Sequence, residues 1–192
     1  MSKFKEFYMK KIILFLFIFS TFSYTRTVNG ILLKDKIKVH NQKLFLNGAG
    51  TRNKFFIDIY VGSLYVVTPT NDPASIINSN TIKSMHLHIV TSWINRKLLK
   101  SALRAELRSS STGEEMDELQ EEIDTFLSTF NEEIIRGDKF IFNIIPGAGV
   151  EVYKNNRLIK SIEGDQFSKR LIQLWIGDTP VDRKLKAGIL GN

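Results

Sequence analysis

Hydrophobic periodicity changes three times along this chain, and the order of those changes restricts the fold more than any single motif does. From Ile37 to Val66 bulky residues alternate with polar ones. Ile37 and Val39, then Leu44 and Leu46, flank His40-Asn41-Gln42 and predict a β-hairpin. The glycines of LNGAG then predict a tight turn before a further strand. In that strand, FFIDIYVGSLYV, Phe55, Ile57, Ile59 and Val61 fall on one face and Phe56, Asp58 and Tyr60 on the other, without interruption. TPTNDPASII reads as a turn feeding a short helix, with Asp72 as N-cap and Pro73 at the first helical position. Thr81 to Val90 returns to strand.

The period then lengthens. SWINRKLLKSALRAEL places Ile94, Leu98, Ala102 and Ala105 on one stripe of a basic helix. After SSSTG, a long acidic helix spaces Met116, Leu119, Ile123, Phe126, Phe130 and Ile134 three or four apart, with Thr112 and Glu115 as a capping box. Opposite charges on the two helices suit solvated faces of a mutually attracting pair.

Alternation resumes in KFIFNII, GVEVY and RLIKSIEG, a meander turning at PGAG and at Asn155-Asn156. DQFSKRLIQLWIG closes with a helix capped by Asp165, with Phe167, Leu171, Leu174 and Trp175 inward and Gly177 at its end. The remaining residues, from Asp178, read as a short tail. Strands, helices, strands and a helix in that order predict an α+β domain, an antiparallel sheet covered on one face.

Residues 1–25 stand apart. Lys10-Lys11, the apolar run Ile12 to Phe19 and the small residues around Ser20 to Ser23 have the layout of a secretory signal, leaving a domain at 26–192. The run falls short of the roughly 20 residues a transmembrane helix needs, so no stable membrane span is expected after cleavage. An uncleaved anchor is the other reading, and Met9 is an alternative start to Met1. The chain has no cysteine, which excludes disulfides, thiolate metal sites and cysteine catalysis. Residues 1–25 hold four lysines against one glutamate, so their removal takes the formal charge from +7 to +4. That balance, without a basic-aromatic recognition motif, predicts no nucleic-acid partner.

Most candidate chemical motifs have plainer explanations. His86 and His88 share a strand face that a metal could use, but His40 is the only other histidine, and half-exposed strand residues are the expectation. Ser63 in VGSLY is not a nucleophile elbow, and the carboxylates form no matched pair in a cleft. No metal, cofactor or catalytic residue is predicted. Arg52 and Tyr60 remain, and on pattern alone they fit either surface residues or a ligand-holding pair.

LNGAGTR followed by FFIDIYVGSLYV resembles the chalcone isomerase superfamily, above all its bacterial exported branch. The stretch from Gly137 to Gly191 looks similar almost throughout, GDQFSKRLIQLWIGDTPVD most specifically. The resemblance implies an open-faced β-sandwich and, with the signal, a periplasmic location. Arg52 matches the guanidinium that helps stabilise the nucleophile oxygen in the plant isomerases, while Tyr60 takes the place of a threonine serving the same chemistry. Leu174 stands where another pocket threonine would be. Arginine with tyrosine is the pattern of the non-catalytic, fatty-acid-binding members, where the two hold a carboxylate. The resemblance therefore implies a small hydrophobic carboxylate, such as a fatty acid, as partner. An isomerase (intramolecular lyase) or an envelope scaffold without a small ligand are the alternatives. On a straight strand, the eight-residue separation of Arg52 and Tyr60 would span about 26 Å. A shared ligand therefore needs a turn between them, at Asn53-Lys54.

Overall fold

The computed structural model describes residues 26–109 and 113–192. The expected signal at 1–25, and Thr112 of the expected capping box, lie outside them. A two-stranded hairpin, β1 (Arg26–Val28) and β2 (Ile31–Leu33), precedes a seven-stranded sheet. That sheet comprises β3 (Lys36–Val39), β4 (Gln42–Lys54), β5 (Ile57–Val66), β6 (Lys83–Ile89), β7 (Lys139–Ile145), β8 (Gly149–Lys154) and β9 (Arg157–Ile162). Its strands pair antiparallel in chain order, so every connection joins neighbours. The helices are α1 (Pro73–Asn78), α2 (Arg96–Ser109), α3 (Gly113–Glu118), α4 (Gln120–Ser128), α5 (Asp165–Ile176) and α6 (Arg183–Ile189).

Alternation along the strands divides the sheet into two faces. Leu64, Met85, Leu87, Phe140, Phe142 and Val152 point towards the helices and bury against residues such as Leu103, Phe126, Phe167 and Trp175. Aromatic rings dominate this layer, with Phe142 stacked on Trp175 at 5.7 Å and Phe126 edge-on to Phe130 at 5.3 Å. Val39, Leu44 and Tyr65 form a smaller cluster on the other face. The sheet curls enough for His40, in the β3–β4 turn, to place Nε2 3.1 Å from Glu151 Oε1 on β8. This is the α+β, open-faced architecture expected.

Local signals explain several boundaries. The Asp72 carboxylate accepts from the backbone N–H of Ala74 and Ser75, with Pro73 opening α1. Asn155 and Asn156 take φ of 51° and 69°, the left-handed geometry of a two-residue hairpin. Arg104 and Asp124 join the basic and acidic helices at 2.7 Å.

Other expectations are corrected. LNGAG is not a turn: Gly48 and Gly50 lie within β4, flattened so that α6 can rest on it. A Cβ on Gly48 would sit 2.3 Å from the Gly188 carbonyl oxygen, and one on Gly188 2.7 Å from that of Ala49. The expected tail thus contains a helix, with Leu185 and Ile189 fully buried. The stretch from Phe55 to Val61 is not one strand, because Phe55 and Phe56 form the β4–β5 turn at φ of 52° and 65°. On α2 the buried stripe is Leu99, Leu103 and Leu107, while Leu98 is exposed. The acidic helix breaks into α3 and α4 at Leu119, although its apolar stripe is buried as expected. Gly164, not Asp165, caps α5, and the Asp165 carboxylate instead accepts from the Gly147 N–H at 2.8 Å.

Candidate functional site

The Phe55-Phe56 turn folds β4 back on β5 and makes Arg52 and Tyr60 cross-strand partners. A register irregularity follows immediately, between Arg52 and Asn53. The turn lies two residues later than the required site at Asn53-Lys54, but it has the required effect. Both side chains are buried, Arg52 at 5% and Tyr60 at 2% exposure. The guanidinium carbon lies 5.7 Å from the centre of the tyrosine ring.

Two further residues complete the cluster. Glu106, on α2, receives both Nη1 and Nη2 of Arg52 in a forked ion pair, Nη1 to Oε2 at 3.4 Å. Trp175, on α5, donates its indole N–H to the Tyr60 hydroxyl at 3.1 Å. Arg52 and Tyr60 were expected from sequence; Glu106 and Trp175 were not. A signal for Glu106 was present, since it is the only acid on α2 among Arg96, Lys97, Lys100, Arg104 and Arg108. The corrected stripe explains its position: Glu106 adjoins Leu107 and Leu103, not the outward side.

Burial governs the protonation states. It pushes the Tyr60 phenol up to about 12, so this hydroxyl is neutral at physiological pH and acts through hydrogen bonds. Burial also raises the Glu106 carboxyl, more than Arg52 can offset. Desolvation opposes the charge of Arg52, but Tyr60 and Glu106 outweigh it and hold the guanidinium above its usual range. The result is a cation enclosed between sheet and helices, with one carboxylate on its fork and a phenol beside it.

The histidines do different work. His86 is buried rather than half-exposed, and His88 is partly buried. Ser84 Oγ donates to Asn143 Oδ1 at 2.7 Å, so His86 Nε2, 3.0 Å away, donates to that serine. Burial, then Lys139 and His88, lowers His86 to about 3; burial and Lys139 lower His88 to about 4. No group of three or more His, Cys, Asp or Glu side chains suited to a metal occurs among the described residues. These histidines face a cavity of about 830 Å³ in the hollow of the curl, on the side of the sheet opposite Arg52.

A curled antiparallel sheet with helices on one face, enclosing an arginine and a tyrosine at its hairpin, defines an open-faced α+β class of protein. Residues 25–191 match the chalcone isomerase-like family, and the chain belongs to that family. The structure is similar to the crystal structure of a fatty-acid binding protein of Arabidopsis thaliana, with a TM-score of 0.69 and 18% sequence identity. The match covers 87% of this chain and 96% of that one, so it extends across the whole fold. Comparison with curated protein sequences finds no match. No helix among the described residues is long and apolar enough to cross a membrane.

Proposed function

We propose that this protein binds a fatty acid or similar hydrophobic carboxylate between its sheet and helices, without catalysis, after export to the periplasm. One observation carries the reading: the buried guanidinium of Arg52 already holds a carboxylate on its fork, with the Tyr60 ring centre 5.7 Å from its carbon. That carboxylate belongs to Glu106. It stands where a ligand's acid would, so loading exchanges one carboxylate for another on the same cation. Membership of the chalcone isomerase-like family and the likeness to a fatty-acid binding protein support the same ligand class.

The energetics suit an acid with a long tail. Each methylene that leaves water contributes about 0.8 kcal/mol. The charge-assisted fork adds orientation and selects acids over esters. Glu106 occupies the fork of Arg52, so loading requires its carboxylate, carried on α2, to leave that cation. A neutral Tyr60 supports binding rather than general-base chemistry.

Native mass spectrometry of protein purified from its own host tests the reading. The expected result is a co-purifying acid with a long apolar tail that is absent from Arg52→Ala. A native chain that stays bare when incubated with long-chain acids would contradict it. Export is tested separately, by N-terminal sequencing of the mature chain, with cleavage expected near residue 25.

A further inference from the structure

The tip of the β4–β5 hairpin is built against ordinary turn chemistry. A two-residue connection with positive φ at both positions favours Asn-Gly, because a side chain crowds the backbone there. The β8–β9 turn follows that rule with Asn155-Asn156, but the β4–β5 turn sets two phenylalanines in the same geometry. Phe55 is 83% and Phe56 101% exposed, and the Lys54 ammonium, 5.9 Å from the centre of the Phe55 ring, covers little of that surface.

More exposed apolar side chains lie at this end of the sheet. Ile89 pairs with Tyr60, and the Val90 N–H donates to the Ile59 carbonyl at 3.1 Å. The chain therefore runs from β6 past the start of β5 towards the hairpin tip before α2 begins. That passage carries Trp93, 75% exposed, and the first turn of α2 carries Leu98, 54% exposed. The same helix borders a surface hollow of about 530 Å³ lined by Arg96, Lys97, Lys100, Ser101, Arg104 and Asn131. None of these is an acid. Of the acids near by, Asp124 pairs with Arg104, Asp58 keeps its charge while accepting from the amides of Asn29 and Asn53, and Glu132 and Glu133 follow Asn131 on the exposed surface.

We propose that this end of the molecule docks on an anionic lipid bilayer. Phe55, Phe56 and Trp93 enter the interfacial zone, and the hollow on α2 receives phosphate headgroups. Protruding rings at the same end of the sheet as a cluster of cations suit a bilayer interface, where aromatic side chains settle at headgroup depth and each nearby cation adds attraction. A protein partner would instead favour a flatter patch depleted of charge at its centre. The surface stands on its own observations and does not depend on what Arg52 holds.

The test follows Trp93 emission as the full chain meets two kinds of vesicle. One is phosphatidylcholine alone; the other is phosphatidylcholine with phosphatidylglycerol. Trp175 is buried and supplies a constant background. The expected result is a blue shift with the anionic vesicles alone. Phe55→Asn/Phe56→Gly, which gives the turn its preferred residues, should abolish the shift while keeping or raising Tm. Lys97→Gln/Lys100→Gln, one exposed and one half-buried lysine on α2 outside the hairpin, should raise the half-effect lipid concentration at least tenfold. No shift, an equal shift with neutral vesicles, or full retention in both variants would overturn the proposal. So would a concentration-dependent shift without vesicles, lost in the hairpin variant, since that would assign the surface to a second copy of the chain.

Discussion

Arg52 and Tyr60, eight positions apart in the chain, face each other across the β4–β5 ladder, and the tyrosine ring lies 5.7 Å from the guanidinium carbon. Neither strand alone could create this relationship. It exists because the chain reverses at Phe55-Phe56, and α2 and α5 then close over the pair with Glu106 and Trp175.

Glu106→Ala is expected to destabilise the protein by about 3–5 kcal/mol, because it leaves a buried guanidinium without its counter-charge. A long-chain acid should restore much of the loss by occupying the vacated fork. Thermal melts with and without the acid check both parts. The expected outcome is a larger ligand-induced rise in Tm for the variant than for the native chain.

Tyr60 makes the stability fall at high pH. Its phenol titrates at about 10 when unfolded and at about 12 when buried, so the folded state holds the proton more tightly. The contribution is fully present below pH 10 and is lost as pH rises through 12, amounting to about 3 kcal/mol. Denaturant unfolding of Tyr60→Phe should show a flatter alkaline limb in that window. Near neutrality the variant should lose about 1 kcal/mol through the missing hydrogen bond from Trp175.

Gly48→Ala tests the seat of the C-terminal helix. The added methyl carbon would lie 2.3 Å from the Gly188 carbonyl oxygen, a clash with backbone that no rotamer relieves. A loss of at least about 2 kcal/mol is expected. Hydrogen exchange should show α6 losing protection first, while β7 and β8 keep theirs.

The fold was legible where side-chain pattern and turn chemistry agree. Alternation in Ile37–Leu46, Ile57–Val66 and Lys139–Ile162 and the Asn155-Asn156 turn point to the observed sheet, and Asp72-Pro73 marks the start of α1. The failures share a physical cause: the deciding interaction lies elsewhere in the chain. Phe55-Phe56 has strand composition, so its turn is invisible to propensity. Gly48 and Gly50 look like turn glycines because the α6 backbone that requires them is more than a hundred residues away. Arg52 and Tyr60 were found through family likeness. Glu106 was missed because the expected α2 stripe did not include it and the cation it pairs with lies 54 residues away in the chain.

The central claim is that the buried cation of Arg52 recognises a ligand's carboxylate. Its most direct test is the affinity of palmitic acid and of methyl palmitate for the native chain and for Arg52→Ala. The account predicts at least a tenfold loss for the acid and little change for the ester. Equal losses for both, or an acid that binds the variant as tightly as the native chain, would contradict it.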